Sequence, residues 1–266
     1  MCIRDSLLTL LSSPVLQKSL SVTGVKDCRH ISCVTPDRVW VSDDQENLIL
    51  IDTAKGKKLH SVEGSLHSDN GIHTVSCEGE LIYIDKKHNI IKLGNDMNTT
   101  STFIKYKDTT WKPLSTYCSP SSGDLLVGMS RYDKDTDKKT GKVVRYDKTG
   151  KHKRTIPHDD NTSQRLFPLP YFITENNNGD VLVSDWEHMA VVVASGEGVH
   201  RFSYTGPGLL WPHGICTDVL SRILVCDWHT SAIQILDRDG QFLCAHLFRR
   251  TPGMGYKPRS LSYDFN

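Results

Sequence analysis

Indole rings and positive charge share short stretches of this chain. Trp111 adjoins Lys112, Trp186 is two residues from His188, and Trp211 is two from His213. Trp228 adjoins His229, and Lys257 is two residues from Arg259. Planar aromatics beside cations suit stacked bases or the side chains of a bound peptide. A second chemistry is open to His30, His73 and His213. Three imidazoles around one opening could hold zinc and leave a coordination position for substrate. Histidines in such places more often hydrogen-bond neighbouring loops. The expectation is therefore no metal and no cofactor, with this histidine set as the alternative.

These residues hang on a repeat. Apolar strands ending in Asp recur as Val39-Trp40-Val41-Ser42-Asp43, Leu81-Ile82-Tyr83-Ile84-Asp85, Val181-Leu182-Val183-Ser184-Asp185 and Ile223-Leu224-Val225-Cys226-Asp227. Asp43 and Asp85 are 42 residues apart, as are Asp185 and Asp227. Between the pairs lies one further unit, in which Met129 takes the place of Asp. Each such strand follows a short strand ending in a small residue and precedes a third strand, a turn and a more polar fourth. Four short strands per unit of this length form a propeller blade. The repeated Asp residues are expected to cap turns by accepting backbone N–H bonds rather than to act as acids.

The eight cysteines contain no C-x-x-C pair, so the spacing of a structural zinc knuckle is absent. Cys33, Cys77, Cys118 and Cys216 share one place on the first strand of their units, with Thr174 and Ser262 in the corresponding places of two others. Inner strands crowd a central channel and need small side chains. The cysteines are read as such, and unpaired thiols suit a reducing, cytoplasmic setting.

The totals narrow the field. Lys and Arg number 32 against 31 Asp and Glu, which argues against a polyanion-binding surface over the whole molecule but leaves local patches open. No apolar run approaches the roughly 18 residues of a membrane span. The early leucines are preceded by Asp5 and cut off by Ser12-Ser13-Pro14, a poor fit to a secretory signal.

Residues 212–242, PHGICTDVLSRILVCDWHTSAIQILDRDGQF, are similar to the NHL repeat: Pro-x-Gly-Ile, a strand ending Val-x-Asp, then Ile-x-Val and a closing Gly. Residues 170–196 match more loosely. The chain resembles the C-terminal propeller of tripartite-motif (TRIM-like) proteins over roughly residues 15–266. That resemblance implies an all-β, six-bladed propeller that recruits protein or RNA for ubiquitin ligation. Ligase activity would then belong to a longer parent carrying a RING, so this chain is expected not to be an enzyme itself. Oligomers would form only through a coiled coil outside it. Six-bladed propellers of related pattern also include lactonases, which hold a divalent metal with Glu, Asn and Asp, and an amidating lyase, which holds zinc with histidines. A metal-dependent enzyme of that kind is the alternative.

On a propeller, the loops leading into the first strand and joining the second to the third share one face. That face is expected to bind the ligand through Arg29, His30, Lys86, Lys87, Trp111, Lys112, Arg131, Tyr171, Trp186, Trp211, His213, Trp228, Lys257 and Arg259. For Trp186 and Trp228 the competing reading is a wedge between blades. The polar insertion over residues 130–142 is expected to be a long mobile loop. Residues 1–14 should lie outside the propeller, and residues 17–22 should supply the outermost strand of the last blade. Residues 258–262 align with 212–216, which predicts five complete blades and a partial sixth, with exposed edges that invite aggregation.

Overall fold

The computed structural model describes residues 19–25, 27–62, 72–107, 110–156, 166–247 and 257–263, and these are all β-structure, turns and extended chain. Twenty strands form five antiparallel four-stranded sheets. Blade one is β1 (His30–Thr35), β2 (Arg38–Ser42), β3 (Leu48–Asp52) and β4 (Lys57–Val62). Blade two is β5 (Thr74–Val75), β6 (Leu81–Ile84), β7 (Ile90–Leu93) and β8 (Thr100–Ile104). Blade three is β9 (Lys112–Cys118), β10 (Leu125–Asp133), β11 (Lys138–Tyr146) and β12 (His152–Ile156). Blade four is β13 (Pro170–Glu175), β14 (Val181–Asp185), β15 (Ala190–Ala194) and β16 (His200–Tyr204). Blade five is β17 (Pro212–Thr217), β18 (Ile223–Asp227), β19 (Ala232–Leu236) and β20 (Phe242–Leu247).

The core lies between blades because alternate residues of each strand face the neighbouring sheet. Leu126 and Val143 of blade three pack on Val181, Val183 and Val192 of blade four. Leu182, Val191 and Val193 on the other face of blade four meet Ile215, Ile223 and Val225 of blade five. Being covered on both faces, β14 and β15 are buried at every residue, whereas the outer β16 is half-buried to exposed.

The turn role of the repeated Asp is met in the geometry. Asp43 Oδ1 accepts from the N–H groups of Gln45 and Asn47, both at 2.9 Å. Asp85 Oδ1 accepts from those of Lys87 and Asn89 at 2.8 and 2.7 Å. Asp185 and Asp227 accept from Glu187 and His229, two residues on, at 2.9 and 3.0 Å.

Three expectations change. The five complete blades expected are present among the described residues, but no sixth blade is formed, so the propeller shown has five blades and not six. Residues 257–263 occupy the sixth sector as extended chain without a strand. Ser260 Oγ and Ser262 Oγ accept from the N–H groups of Ile31 and Cys33 in β1, at 3.3 and 3.1 Å, and Gly214 of β17 donates to the Arg259 carbonyl at 2.9 Å. Second, the described part of the expected closing strand, residues 19–22, is not a strand. Val22 and Val25 instead pack on Val39, Val41, Ile49 and Ile51, covering the free face of blade one. Residues 1–18, including the segment assigned outside the propeller, lie outside the described residues.

Third, the insertion is not a loop. It extends β10 and β11 to nine residues each, paired from Ser130↔Gly141 to Asp133↔Lys138, around a four-residue tip. Its stem lies on the chain leading into β13, so closely that a Cβ at Gly141 would collide with the Phe167 carbonyl and stand 2.7 Å from Pro170 Cδ.

Gly214 is equally constrained. A Cβ there would stand 2.5 Å from Ser260 Cα and 3.0 Å from the Arg259 oxygen, both in backbone that cannot swing aside. Gly214→Ala is expected to push residues 257–263 off β17 and lower stability by about 1–3 kcal/mol, the usual cost of overpacking. A urea melt checks this; an unchanged midpoint would mean that the segment does not close the ring.

Candidate functional site

The inner strands β1, β5, β9, β13 and β17, with residues 257–263, surround a central cavity of about 150 Å3. Small polar side chains reach it: Ser32, Cys33, Thr74, Thr116, Cys118, Thr174, Cys216 and Ser262. Cys77 departs from this set and is exposed. No described cysteine is in a disulfide. Burial pushes the Cys118 thiol up to about 11 and Cys216 to about 12, so both stay protonated and make poor ligands.

The histidine alternative meets an obstacle at the channel mouth. His30 Nε2–H donates to the His73 carbonyl at 2.8 Å, while its Nδ1 accepts from Ser260 Oγ at 2.8 Å. His73 Nε2–H donates to the Trp40 carbonyl at 3.3 Å. The Phe172 ring lies near both His30 and His213, with centroids 5.7 and 6.2 Å away. The His30 and His73 imidazoles are thus committed to backbone oxygens, and among the described residues no three His, Cys, Asp or Glu gather to hold an ion. The cavity lining carries no carboxylate for a hard cation.

Beside the mouth, the loops of blades four and five and residues 257–263 form a second cavity of about 310 Å3. Its lining is Trp186, Met189, Trp211, Pro212, His213, Trp228 and Arg259. Local structure explains how these residues meet. Trp186 and Trp228 follow Asp185 and Asp227, so the capped turns hold both indoles at the same height. Trp211 N–H donates to Asp227 Oδ1 at 3.2 Å and Trp228 N–H to the Trp211 carbonyl at 3.0 Å, stacking the two rings at 5.2 Å and 12°. Trp186 stacks on Tyr171 at 5.3 Å and 18° and remains 42% exposed. Trp186 and Trp228 are therefore pocket walls rather than interblade wedges. Such pairs contribute about 0.5–1.5 kcal/mol beyond burial and fix the walls before a ligand arrives.

His213 lies between the walls, 4.9 Å from Trp186 in an edge-on arrangement and 6.1 Å from Trp228 in a stacked one. Burial, then the charges of Arg259 and Arg29, lowers its pKa to about 4, so the ring is neutral near pH 7. Arg259 and Arg29 share the Asp27 carboxylate at 3.0 and 3.4 Å, and Lys257 Nζ stands 3.0 Å from the centroid of Trp228.

The remaining sequence candidates lie elsewhere. Trp111, 8% exposed, is covered by Arg131 at 5.1 Å and Lys142 at 3.9 Å on the blade-three hairpin, with Lys112 next to it at the start of β9. Lys86 and Lys87 lie in the β6–β7 turn, where Lys86 pairs with Glu46 at 3.8 Å. Sequence reading missed Met189 and Lys142. Met189 holds a left-handed φ of 50° in the turn after Asp185, a conformation that its residue type does not announce.

No family model and no curated protein matches this chain. Solved structures do. A calcium-binding protein, regucalcin, from Agrobacterium tumefaciens is 12% identical with a TM-score of 0.65, covering 92% of this chain and 81% of that one. A putative gluconolactonase is 18% identical at 0.65, covering 86% and 80%. A catalytically inactive histidine-to-alanine variant of virginiamycin B lyase from Staphylococcus aureus, with quinupristin, is 14% identical at 0.59, covering 91% and 76%. At these identities the likeness establishes the β-propeller fold. It also corrects the expectation of a non-enzyme, because propellers that share the fold over most of this chain carry lactonase and lyase names. The likeness does not extend to the tripartite-motif reading, nor to the RNA and ubiquitin-ligation roles attached to it.

Proposed function

We propose that this chain is a propeller enzyme of the lyase type, opening an ester or lactone by elimination in the tryptophan-walled pocket. The observation that carries this reading is His213, a neutral imidazole held in an apolar pocket with an arginine in its wall. The ring is in its proton-accepting form near pH 7, with a lower proton affinity than an ordinary imidazole. Walls of Trp186, Met189, Trp211, Pro212 and Trp228 offer few polar groups to hold an attacking water, which favours a proton taken from the substrate over hydrolysis.

In the step proposed, His213 removes the proton on the carbon α to a carbonyl. The C–H electron pair becomes the new C=C bond, the β-carbon–oxygen bond breaks, and the acyl group leaves as a carboxylate. The positive charge of Arg259 in the pocket wall favours, through its field, the negative charge that develops on the carbonyl oxygen. The lactonase and lyase names among the similar structures accord with this chemistry class. The calcium of the regucalcin-like structure is not carried over, because the donors around this channel do not fit a hard cation, and no step runs through a metal.

The test is turnover of a panel of aromatic β-acyloxy esters and lactones, followed by absorbance of the conjugated alkene and by mass. Expected are an unsaturated product, no 18O uptake from labelled water, and loss of turnover in His213→Gln. Turnover that His213→Gln leaves intact, or 18O in the released acid, would overturn the mechanism.

A further inference from the structure

Tryptophan faces ordinarily attract cations, but this pocket has already used most of them on its own chain. Lys257 holds one face of Trp228. Trp211 is stacked on Trp228, and Trp186 has one face on Tyr171. The charge lining the cavity is also of one sign. Arg259 lines it from residues 257–263, Lys257 stands over Trp228, Arg29 is paired to the same Asp27 as Arg259, and all three lower the pKa of His213. Against them stand three carboxylates. Asp27 is divided between both arginines. Asp227 is buried and accepts from Trp211 N–H, His229 N–H, Thr230 Oγ and Gln234 Nε2. Asp185 is turned into its own turn, accepting from Glu187 N–H and His188 N–H. Among the residues that line the cavity Arg259 is the one charged side chain and no carboxylate is present; the other walls are indole, thioether, proline and imidazole.

From this juxtaposition we infer that the pocket selects an anionic planar aromatic ligand, an aryl carboxylate, whose ring lies on the open face of Trp186 and whose carboxylate is read by Arg259 with Lys257 behind it. The inference deepens the proposed function and rests on this pocket being the substrate site. Arg259 is well suited to the role. Its backbone oxygen is tied to Gly214 N–H and its guanidinium to Asp27, so the group is positioned before a ligand binds. Its planar fork can still offer N–H donors to a second carboxylate. The substrate would then carry an aromatic acid apart from the ester that is cleaved.

The experiment compares three isosteric probes by quenching of tryptophan fluorescence and by calorimetry: 2-naphthoate, 2-naphthamide and 2-naphthylmethylammonium. The expected result is 2-naphthoate binding about tenfold tighter than the amide, a difference of about 1.4 kcal/mol, with the ammonium weakest. Arg259→Gln should abolish the preference, with a circular dichroism spectrum and urea midpoint matching the wild type showing that the fold is kept. Lys257→Gln, which leaves the Asp27 contact intact, should reduce the preference severalfold. Equal affinity for the three probes, no binding of any, or a preference that survives both substitutions would overturn the inference. Selective 2-naphthoate binding without turnover of any β-acyloxy ester would sink the elimination reading and leave this one standing; turnover of neutral substrates without anion preference would do the reverse.

Discussion

Arg145→Met is expected to destabilise the fold by about 3–5 kcal/mol, the cost of leaving a buried charge without its partner. Arg145 lies in β11, yet its guanidinium spans two blades. One nitrogen is 3.4 Å from Asp124 Oδ2 in blade three and another is 2.5 Å from Glu175 Oε1 in blade four. All three side chains are nearly buried: the arginine is 13% exposed, Asp124 7% and Glu175 6%. Removing the guanidinium leaves Asp124 with Lys153, 2.9 Å away and half exposed, but strips Glu175 of this ion pair. Against a total stability typically of about 5–15 kcal/mol, the loss is large. Urea denaturation of the wild type and variant measures it. Adding Glu175→Gln should recover part of the loss, since the stranded charge then disappears. A loss below about 1 kcal/mol, the worth of a surface pair, would show that the cluster is solvated in solution.

That cluster was invisible in the sequence for a physical reason. Asp124, Arg145 and Glu175 sit in different strands of two blades, and no local spacing announces a pairing across a sheet interface. The blade itself was legible, because a strand ending in Asp must repeat if the Asp caps the same turn each time, and Asp43, Asp85, Asp185 and Asp227 do so. The pocket was legible in part by the same logic. Trp186 and Trp228 follow capped Asp residues and His213 opens an inner strand, so the repeat places them together. Lys86 occupies the place equivalent to Trp186, but in blade two, and the repeat alone does not separate blades.

The polar run over residues 130–142 read as a loop because an exposed two-stranded ribbon needs no apolar alternation. Its one structural signal was Gly141, required by the chain leading into β13. The non-enzyme reading came from a family pattern together with the reading of the Asp residues as turn caps and the histidines as loop partners, and the fold comparison overturned it. His30 and His73 stay open to a ligand role only as an alternative in the sequence, which gives the ring and not the carbonyl to which it is bonded.

Loss of His213 is the largest effect expected on activity. His213→Phe keeps an aromatic ring between Trp186 and Trp228 but removes the base, and should lower kcat by about 10^2–10^4-fold, the usual contribution of a positioned general base. The pH profile separates this role from a structural one. An ordinary histidine loses its basic form as pH falls through 6.5; here burial, Arg259, Arg29 and Lys257 lower the pKa to about 4, with only Asp227 acting the other way among the larger influences. The wild-type rate should therefore hold level down to roughly pH 5 and fall through pH 4. Arg259→Gln removes one lowering charge, so its acid limb should move to higher pH. Stability has its own pH dependence and must be followed by circular dichroism. A histidine depressed in the folded state favours folding fully above 6.5, and that contribution is lost as pH falls from 6.5 to about 4. Buried His30 acts in the same direction, whereas Asp185, raised to about 6, contributes stability at low pH that is lost as pH rises through that value. An acid limb centred near 6.5 in protein that remains folded would assign the base to another histidine.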